Sequence, residues 1–574
     1  MNLDPTRPRM THRPEYRATQ HAVVTGHYLA TMAALRQLDA GGNAVDAGVA
    51  AGLCLGVLQS DFVSVAGVAP IICYLADRDL VTTFAGVGTW PAAATREEVL
   101  RRGSGTLPEG ALRTVVPAAP DAWISALRRY GTRRFADVAA DAIALAADGF
   151  PMYELMASRI AANQRSLSQW RSTADLFLPE GRPPHPGECF RQPALARTLE
   201  RMVTAETPAT VAGRDAGLQA ARDAFYRGAI AEEIAAFIQS EGGLLSYDDL
   251  AGFEVEEAAP LSVEFGGVRV YACGPWCQGP ALLEALQIVA GLGLSKLGHN
   301  SPAYLHAILE ALKLTFADRE AYIGDPAFVD VPIPTLLSAA YAEEQRRRID
   351  PRRASPSLPA PGDAGGRAAP VPAAVAVGGS GSDTTYLCVV DRWGNVFSAT
   401  PSDGFNGPVP PTIGCTISPR GSQSWLEPDH PSVIAPGKRP RLTPNPALAL
   451  RPDGWAMPFG TPGGDVQVQA MLQVLLNIVE FGMTPQAAVE APRVATYSQP
   501  DSFFPHHSQP GVVRAEARFG SRTLAALRTR GHDIRPWTDW TWAAGAVCTI
   551  VREPDGILLT AGADPRRESY AAGW

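Results

Sequence analysis

The stretch "PRRASPSLPAPGDAGGRAAPVPAAVAVGGSGSD", residues 351–383, restricts the fold of this 574-residue chain more than any other segment. Proline, alanine, glycine and serine dominate it, so it reads as an exposed, mobile linker. The patterns on its two sides differ. Before it, apolar residues recur at helical spacing between glycines; after it, the chain becomes β-like at once. The junction runs "GGSGSDTTYLCVVDRWGNVFSATPSDG" (378–404), and the β-branched residues Thr384 and Thr385 stand where linker gives way to strand.

Local signals fill in the rest. Residues 29–58 predict a helix stopped at Gly41 and Gly42, then a second helix of small residues capped by Asn43. Residues 301–326 predict a helix entered through Ser-Pro and ended at Gly324. Residues 384–390 and 396–400, joined by "DRWGN", predict a β-hairpin, and 430–450 lead into another apolar strand. A helix is expected within 459–482, entered through Pro462, Gly463 and Gly464. Backbone N–H groups at such an entry have no helical acceptor and point toward any nearby oxygen. No repeat of solenoid length is present.

Composition narrows the partners. With 46% hydrophobic and 19% charged residues the chain can bury a large core, and a net charge of −8 argues against nucleic acid or an anionic membrane as its partner. The first 20 residues hold no apolar run of the kind that exports a protein. The longest apolar stretches, 47–58 and 62–75, fall short of the roughly 20 residues that span a bilayer, so a cytoplasmic location is expected. The eight cysteines are scattered, without a disulfide framework. Cys273 and Cys277 are the only close pair and have no neighbouring histidine, so they read as small buried apolar residues rather than metal ligands. No motif calls for a metal or a cofactor.

Cleavage between Asp383 and Thr384 would give Thr384 an α-amino group on the same residue as its hydroxyl. Such an amine has a pKa of about 7.7–8.0, near where a general base works best at neutral pH. It can take the hydroxyl proton and pass it to a leaving group, so one residue supplies nucleophile and base. An exposed linker before Thr384 is what such a self-processing site needs.

The motifs "GGNAVDA" (41–47), "ADREAYIGDP" (317–326), "DTTYLCVVDRWGN" (383–395), "GKRP" (437–440), "TPGGD" (461–465), "EAPR" (490–493) and "ADPR" (563–566) occur in one order along the chain. In this the sequence resembles the γ-glutamyltransferase (glutathione hydrolase) family of N-terminal-nucleophile hydrolases, as a divergent member. The resemblance implies an α+β fold, a four-layer αββα sandwich, made as one precursor and cut into a large subunit, 1–383, and a small subunit, 384–574. It implies Thr384 as nucleophile and new terminus with Thr385 beside it, Ser402 as a hydroxyl assisting the nucleophile, and Gly463 and Gly464 as the amides of an oxyanion hole. The cleavage site falls at Asp383 and Thr384.

The departures bear on substrate. Where γ-glutamyl enzymes carry an Arg-Glu pair for the α-carboxylate, this chain has Val87 and Gly88 in "FAGVGTWP". Gln423 stands in place of the aspartate that holds the α-amino group, Gly404 in place of an asparagine, and Leu442 and Thr443 in place of paired serines. Arg420 is new to the pattern and is expected to meet a substrate carboxylate bidentately, with Thr443, Thr385 and Gln423 lining the same site; a structural ion pair is the equal alternative for Arg420. Arg439 and Arg441 read as structural, and His506 and His507 as loop residues. The expected activity is hydrolysis of an amide, or of a C–C bond beside a carbonyl, in a small carboxylate-bearing substrate other than γ-glutamyl. A true γ-glutamyl hydrolase or transpeptidase and a catalytically silent scaffold subunit are the alternatives. Expected partners are the small-molecule substrate and the two subunits of one precursor, with a homo-oligomer allowed.

Overall fold

The two runs after the junction pair as the sequence predicts. Leu387–Val390 and Val396–Ala399 form an antiparallel hairpin with Val390 opposite Val396. Asp391 closes its turn by accepting from the amides of Trp393 and Asn395. The computed structural model describes residues 11–365, 375–376, 384–405, 407–554 and 556–574. Asp383 and the greater part of the 366–383 stretch lie outside the described residues.

The hairpin occupies the middle of a seven-stranded antiparallel sheet. Its strands run in the order Tyr570–Gly573, Ala22–Thr25, Leu387–Val390, Val396–Ala399, Ile71–Leu75, Leu80–Phe84 and Glu257–Ala258. A second seven-stranded antiparallel sheet is ordered Tyr16–Ala18, Leu559–Ala563, Cys548–Arg552, Ala456–Gly460, Ala447–Leu450, Val268–Ala272 and Leu261–Phe265. Strands from before the linker therefore enter both sheets, which the helical reading of that half did not anticipate. The reason is physical: Ile71–Leu75 is only 5 residues long and buried almost throughout. A short continuous apolar run carries no alternation to distinguish it from a buried piece of helix.

Side-chain packing follows from these sheets. Val24, Ile72, Tyr386 and Cys388 of the first sheet's segments meet Leu448, Ala456, Ile550 and Ala561 of the second in one apolar cluster. The other face of the first sheet packs on helices that include Ala44–Leu58, capped by Asn43 and Asp46 in a reciprocal box. That helix is buried on every side, and its glycines allow close approach: a Cβ on Gly48 would stand 2.2 Å from the Phe397 ring, and one on Gly52 2.7 Å from Trp123. The second sheet packs on Gly279–Ala290, Pro302–Tyr322 and Val466–Val479. No helix among the described residues is long and apolar enough to cross a membrane.

Two expectations need correction. Residues 351–365 are held against the body rather than loose: the Ala354 amide donates to the Arg530 carbonyl, Lys313 Nζ to the Ser355 carbonyl, and the Gly362 amide to Asp318. Composition misled because these bonds come from partners remote in sequence. His507, read as a loop residue, opens the short strand His507–Ser508; His506 lies in a loop as read, but is buried and stacks on Trp425 with ring centroids 3.7 Å apart, while His430 covers the opposite face at 4.0 Å. Arg441 pairs with buried Glu320 and Arg439 with Asp325, as structural residues should.

Burial pulls the imidazoles of His430 and His532 down to about 3 and that of His27 to about 4. All three are neutral when folded and take up protons on unfolding once the pH is below about 6.5. The unfolded chain then binds more protons, so stability decreases as pH falls from about 6.5 toward 4. The urea midpoint is expected to be lower at pH 5 than at pH 7, and His430→Gln is expected to narrow that difference.

Candidate active site

Thr384 is not exposed, as its linker setting suggested, but 1% accessible. It forms an antiparallel bridge with Ser402, which in turn bridges Val68. This places its Oγ1 2.9 Å from Ser402 Oγ. Arg420 Nη2 donates to the same Ser402 oxygen, and the Arg420 guanidinium is ion-paired with Asp403. Asp403 also accepts from Ser418 Oγ. Asp403 sits at φ +87°, a region that non-glycine residues rarely enter and that tends to mark functional sites. Arg420 thus has a carboxylate from its own chain, and of the two expectations for it the structural ion pair describes its contacts.

A second set of bonds leads from this turn to the glycine pair. Arg420–Gln423 is a single 3₁₀ turn. At its end Gln423 donates to Thr443 Oγ1 at 2.8 Å and accepts from the Thr443 amide. The Thr443 carbonyl accepts from Gln278 Nε2, which also reaches the Gly464 carbonyl. Gln278 is fixed by Arg319, itself paired with Asp465. Gly463 and Gly464 have φ of +129° and +57°, backbone that favours glycine, and they precede the helix Val466–Val479. Among the described residues no acceptor meets the amide of either glycine. The strand leading to them passes the nucleophile's segment closely, since a Cβ on Gly460 would lie 2.3 Å from the Tyr386 ring. Thr385 anchors its side: its amide donates to Pro401, and its Oγ1 fills the space beside Gly26, where a Cβ would come within 2.1 Å.

The positions that depart from the γ-glutamyl pattern have their own physical logic. Val87 and Leu442 meet in one buried apolar cluster with Val68, Ala85, Cys273, Trp276 and Cys277. The cluster forms an apolar wall that includes Val68, the residue that bridges Ser402. At residue 404 any Cβ would stand 2.0 Å from the Asp61 carbonyl oxygen, so an asparagine there has no room.

Sequence reading missed a second polar contact of Thr384. Arg567 Nη1 donates to the Thr384 carbonyl at 3.0 Å. Its guanidinium lies 4.5 Å from the centre of the Phe62 ring, and Arg159 lies over that ring at 4.0 Å while pairing with Asp61. The "ADPR" motif stops one residue before Arg567, and nothing about a lone Arg-Arg pair distinguishes the second arginine. The first, Arg566, is spent on Asp564 and Glu516.

A buried threonine hydroxyl thus meets a serine at the start of a sheet-centre hairpin, and a chain of hydrogen bonds leads from the neighbouring 3₁₀ turn to two glycines at a helix entry. The γ-glutamyltranspeptidase family model matches residues 30–574, and the chain belongs to that family. It is 31% identical over 563 residues to the glutathione hydrolase-like YwrD proenzyme of Bacillus subtilis, covering 97% of this chain and 98% of that one. It is also 31% identical to the oxamate amidohydrolase proenzyme of Klebsiella pneumoniae, over 97% and 99% of the two chains. Among solved structures it is similar to cephalosporin acylase from Bacillus halodurans, with a TM-score of 0.86, 31% identity and coverage of 100% and 99%. Family membership is therefore settled, while the relatives' names span three kinds of substrate.

Proposed function

We propose that this protein is a self-processing amide hydrolase in which Thr384, freed by cleavage after Asp383, attacks a non-γ-glutamyl substrate. The precursor would separate into 1–383 and 384–574, and the two cores of helix on sheet, joined by the apolar cluster between the sheets, support a four-layer αββα sandwich. In the reaction Thr384 Oγ1 bonds to the substrate carbonyl carbon. The α-amine takes the hydroxyl proton and gives it to the departing nitrogen as the C–N bond breaks; water then cleaves the ester. Ser402, accepting from Arg420, which can only donate, keeps its own hydrogen for Thr384 Oγ1. The unengaged amides of Gly463 and Gly464 suit the developing oxyanion, a task for which one donor is worth roughly 2.7–4 kcal/mol in other enzymes.

The observation that carries the substrate reading is the apolar cluster holding Val87 and Leu442 where a γ-glutamyl α-carboxylate would need charge. An amino-acid head group placed there would lose its solvation without gaining a partner. The relatives named for oxamate and cephalosporin substrates are consistent with such a pocket. The test is turnover of γ-glutamyl p-nitroanilide against p-nitroanilides of simple acyl groups, with mass spectrometry of the acylated small fragment. Acylation on Thr384 by a simple acyl group and negligible γ-glutamyl turnover are expected; efficient γ-glutamyl release would refute the pocket reading.

A further inference from the structure

His306 and Glu310 stand one helical turn apart on Pro302–Tyr322, so both project from the same face of that helix. His532, just before the strand Asp533–Trp537, meets them there. All three are buried, and one ligand-type atom from each lies within 4.8 Å of the other two. Two ring nitrogens, His306 Nδ1 and His532 Nε2, face one another at 2.9 Å.

The proton positions follow from the partners. Burial holds both imidazoles below their ordinary pKa, so each carries a single ring proton. His306 Nε2 lies 2.8 Å from the Asp350 carbonyl, which can only accept, so the hydrogen of that ring is on Nε2. Its Nδ1 is therefore a bare lone pair aimed at His532. An imidazole whose far N–H is fixed by a backbone carbonyl is how metal-ligating histidines are commonly oriented. His532 Nδ1 is buried without a hydrogen-bond partner, so nothing ties the proton of this second ring to one nitrogen. With that proton on Nδ1, the Nε2 lone pair turns toward the same point.

Glu310 completes the set. Lys313 Nζ and the Ser355 amide each donate to a different oxygen of its carboxylate. They use two of its roughly four lone-pair sites, which leaves two for an ion. Two imidazole nitrogens and a carboxylate binding through one or both oxygens suit Zn²⁺. Lys313 cancels the charge of Glu310, so Ca²⁺ or Mg²⁺, which bind through oxygen, find little here, and an ion that bonds imidazole is favoured. At metal–nitrogen distances of about 2.0–2.1 Å a tetrahedral ion holds its nitrogens about 3.3–3.4 Å apart, so the facing rings need to part by only a few tenths of an ångström.

We propose that His306, Glu310 and His532 form a structural site for Zn²⁺, filled as the chain folds. The site ties together the helix, the turn before Asp533–Trp537 and the 350–355 stretch, whose Asp350 carbonyl and Ser355 amide hold two of the ligands. Once the chain is cut after Asp383, His306 and Glu310 belong to the large subunit and His532 to the small one, so the ion links the two. That last consequence alone rests on the processing reading.

The experiment is elemental analysis of wild-type protein grown with added Zn²⁺ and dialysed, beside the uncut Thr384→Ala chain and His532→Gln. About one zinc per chain is expected in wild type and in Thr384→Ala, and a several-fold lower content in His532→Gln. Growth with Co²⁺ is expected to give the intense visible absorption of a four-coordinate cobalt ion. A strong chelator is expected to lower the urea midpoint of wild type and to leave that of His532→Gln unchanged. Wild-type protein holding far less than one zinc per chain, or holding Mg²⁺ instead, would overturn the assignment, and this result needs no variant to fold. Failure of the processing reading would look different, since a chain that never splits would still carry the ion.

Discussion

Thr384→Ala is expected to leave the chain as one full-length band on a denaturing gel and to lower turnover to background, a loss of about a million-fold on the scale seen when other hydrolases lose their nucleophile. The two effects share one cause. The same Oγ1, held 2.9 Å from Ser402 Oγ, would attack the preceding peptide carbonyl during maturation and the substrate carbonyl afterwards. Thr384→Ser keeps an oxygen at that place and is expected to process, more slowly, because the missing methyl leaves the hydroxyl freer to rotate. The alanine chain should remain as stable as wild type, since the bridge to Ser402 is made by backbone. A gel, a urea curve and an activity assay on the three proteins separate loss of chemistry from loss of fold. A Thr384→Ala chain that still splits at residue 383 would assign the processing to another group.

The second large effect concerns Arg420. Arg420 and Asp403 are each 1% accessible and paired with one another. Arg420→Met strands the Asp403 carboxylate in the interior, at a cost of roughly 3–5 kcal/mol in stability, read as a fall in the urea midpoint. It also removes the donor that fixes Ser402, so processing and turnover are expected to slow. The double change Arg420→Met with Asp403→Leu distinguishes these roles, because replacing both members of a buried pair with apolar residues is often neutral for stability. Recovered stability with processing still slow marks Arg420 as a positioning residue acting through Ser402. Recovery of both would make the pair purely structural.

Much of this site was legible in sequence because its parts are local. Thr384 and Ser402 flank a hairpin whose turn and strands follow from "DRWGN" and its apolar neighbours, and Gly463 with Gly464 announce a helix entry. The Asn43 cap was likewise written in a few adjacent residues. Features assembled from distant segments were not legible. Arg420 meets Asp403 across 17 positions and Arg567 reaches Thr384 across 183, and neither pairing leaves a periodic trace. The strands Ala22–Thr25 and Ile71–Leu75 were hidden for another reason, since burial on both faces erases the polar alternation that would announce them. Residues 351–365 show the converse: a composition typical of linkers, tied down by Arg530, Lys313 and Asp318.

Intact mass of the purified, active protein tests the central claim most directly. Two chains are expected, the smaller beginning at Thr384 with a free α-amine. A fully active protein whose residues 383 and 384 remain joined would contradict it, because an amide nitrogen cannot serve as the base that this chemistry requires.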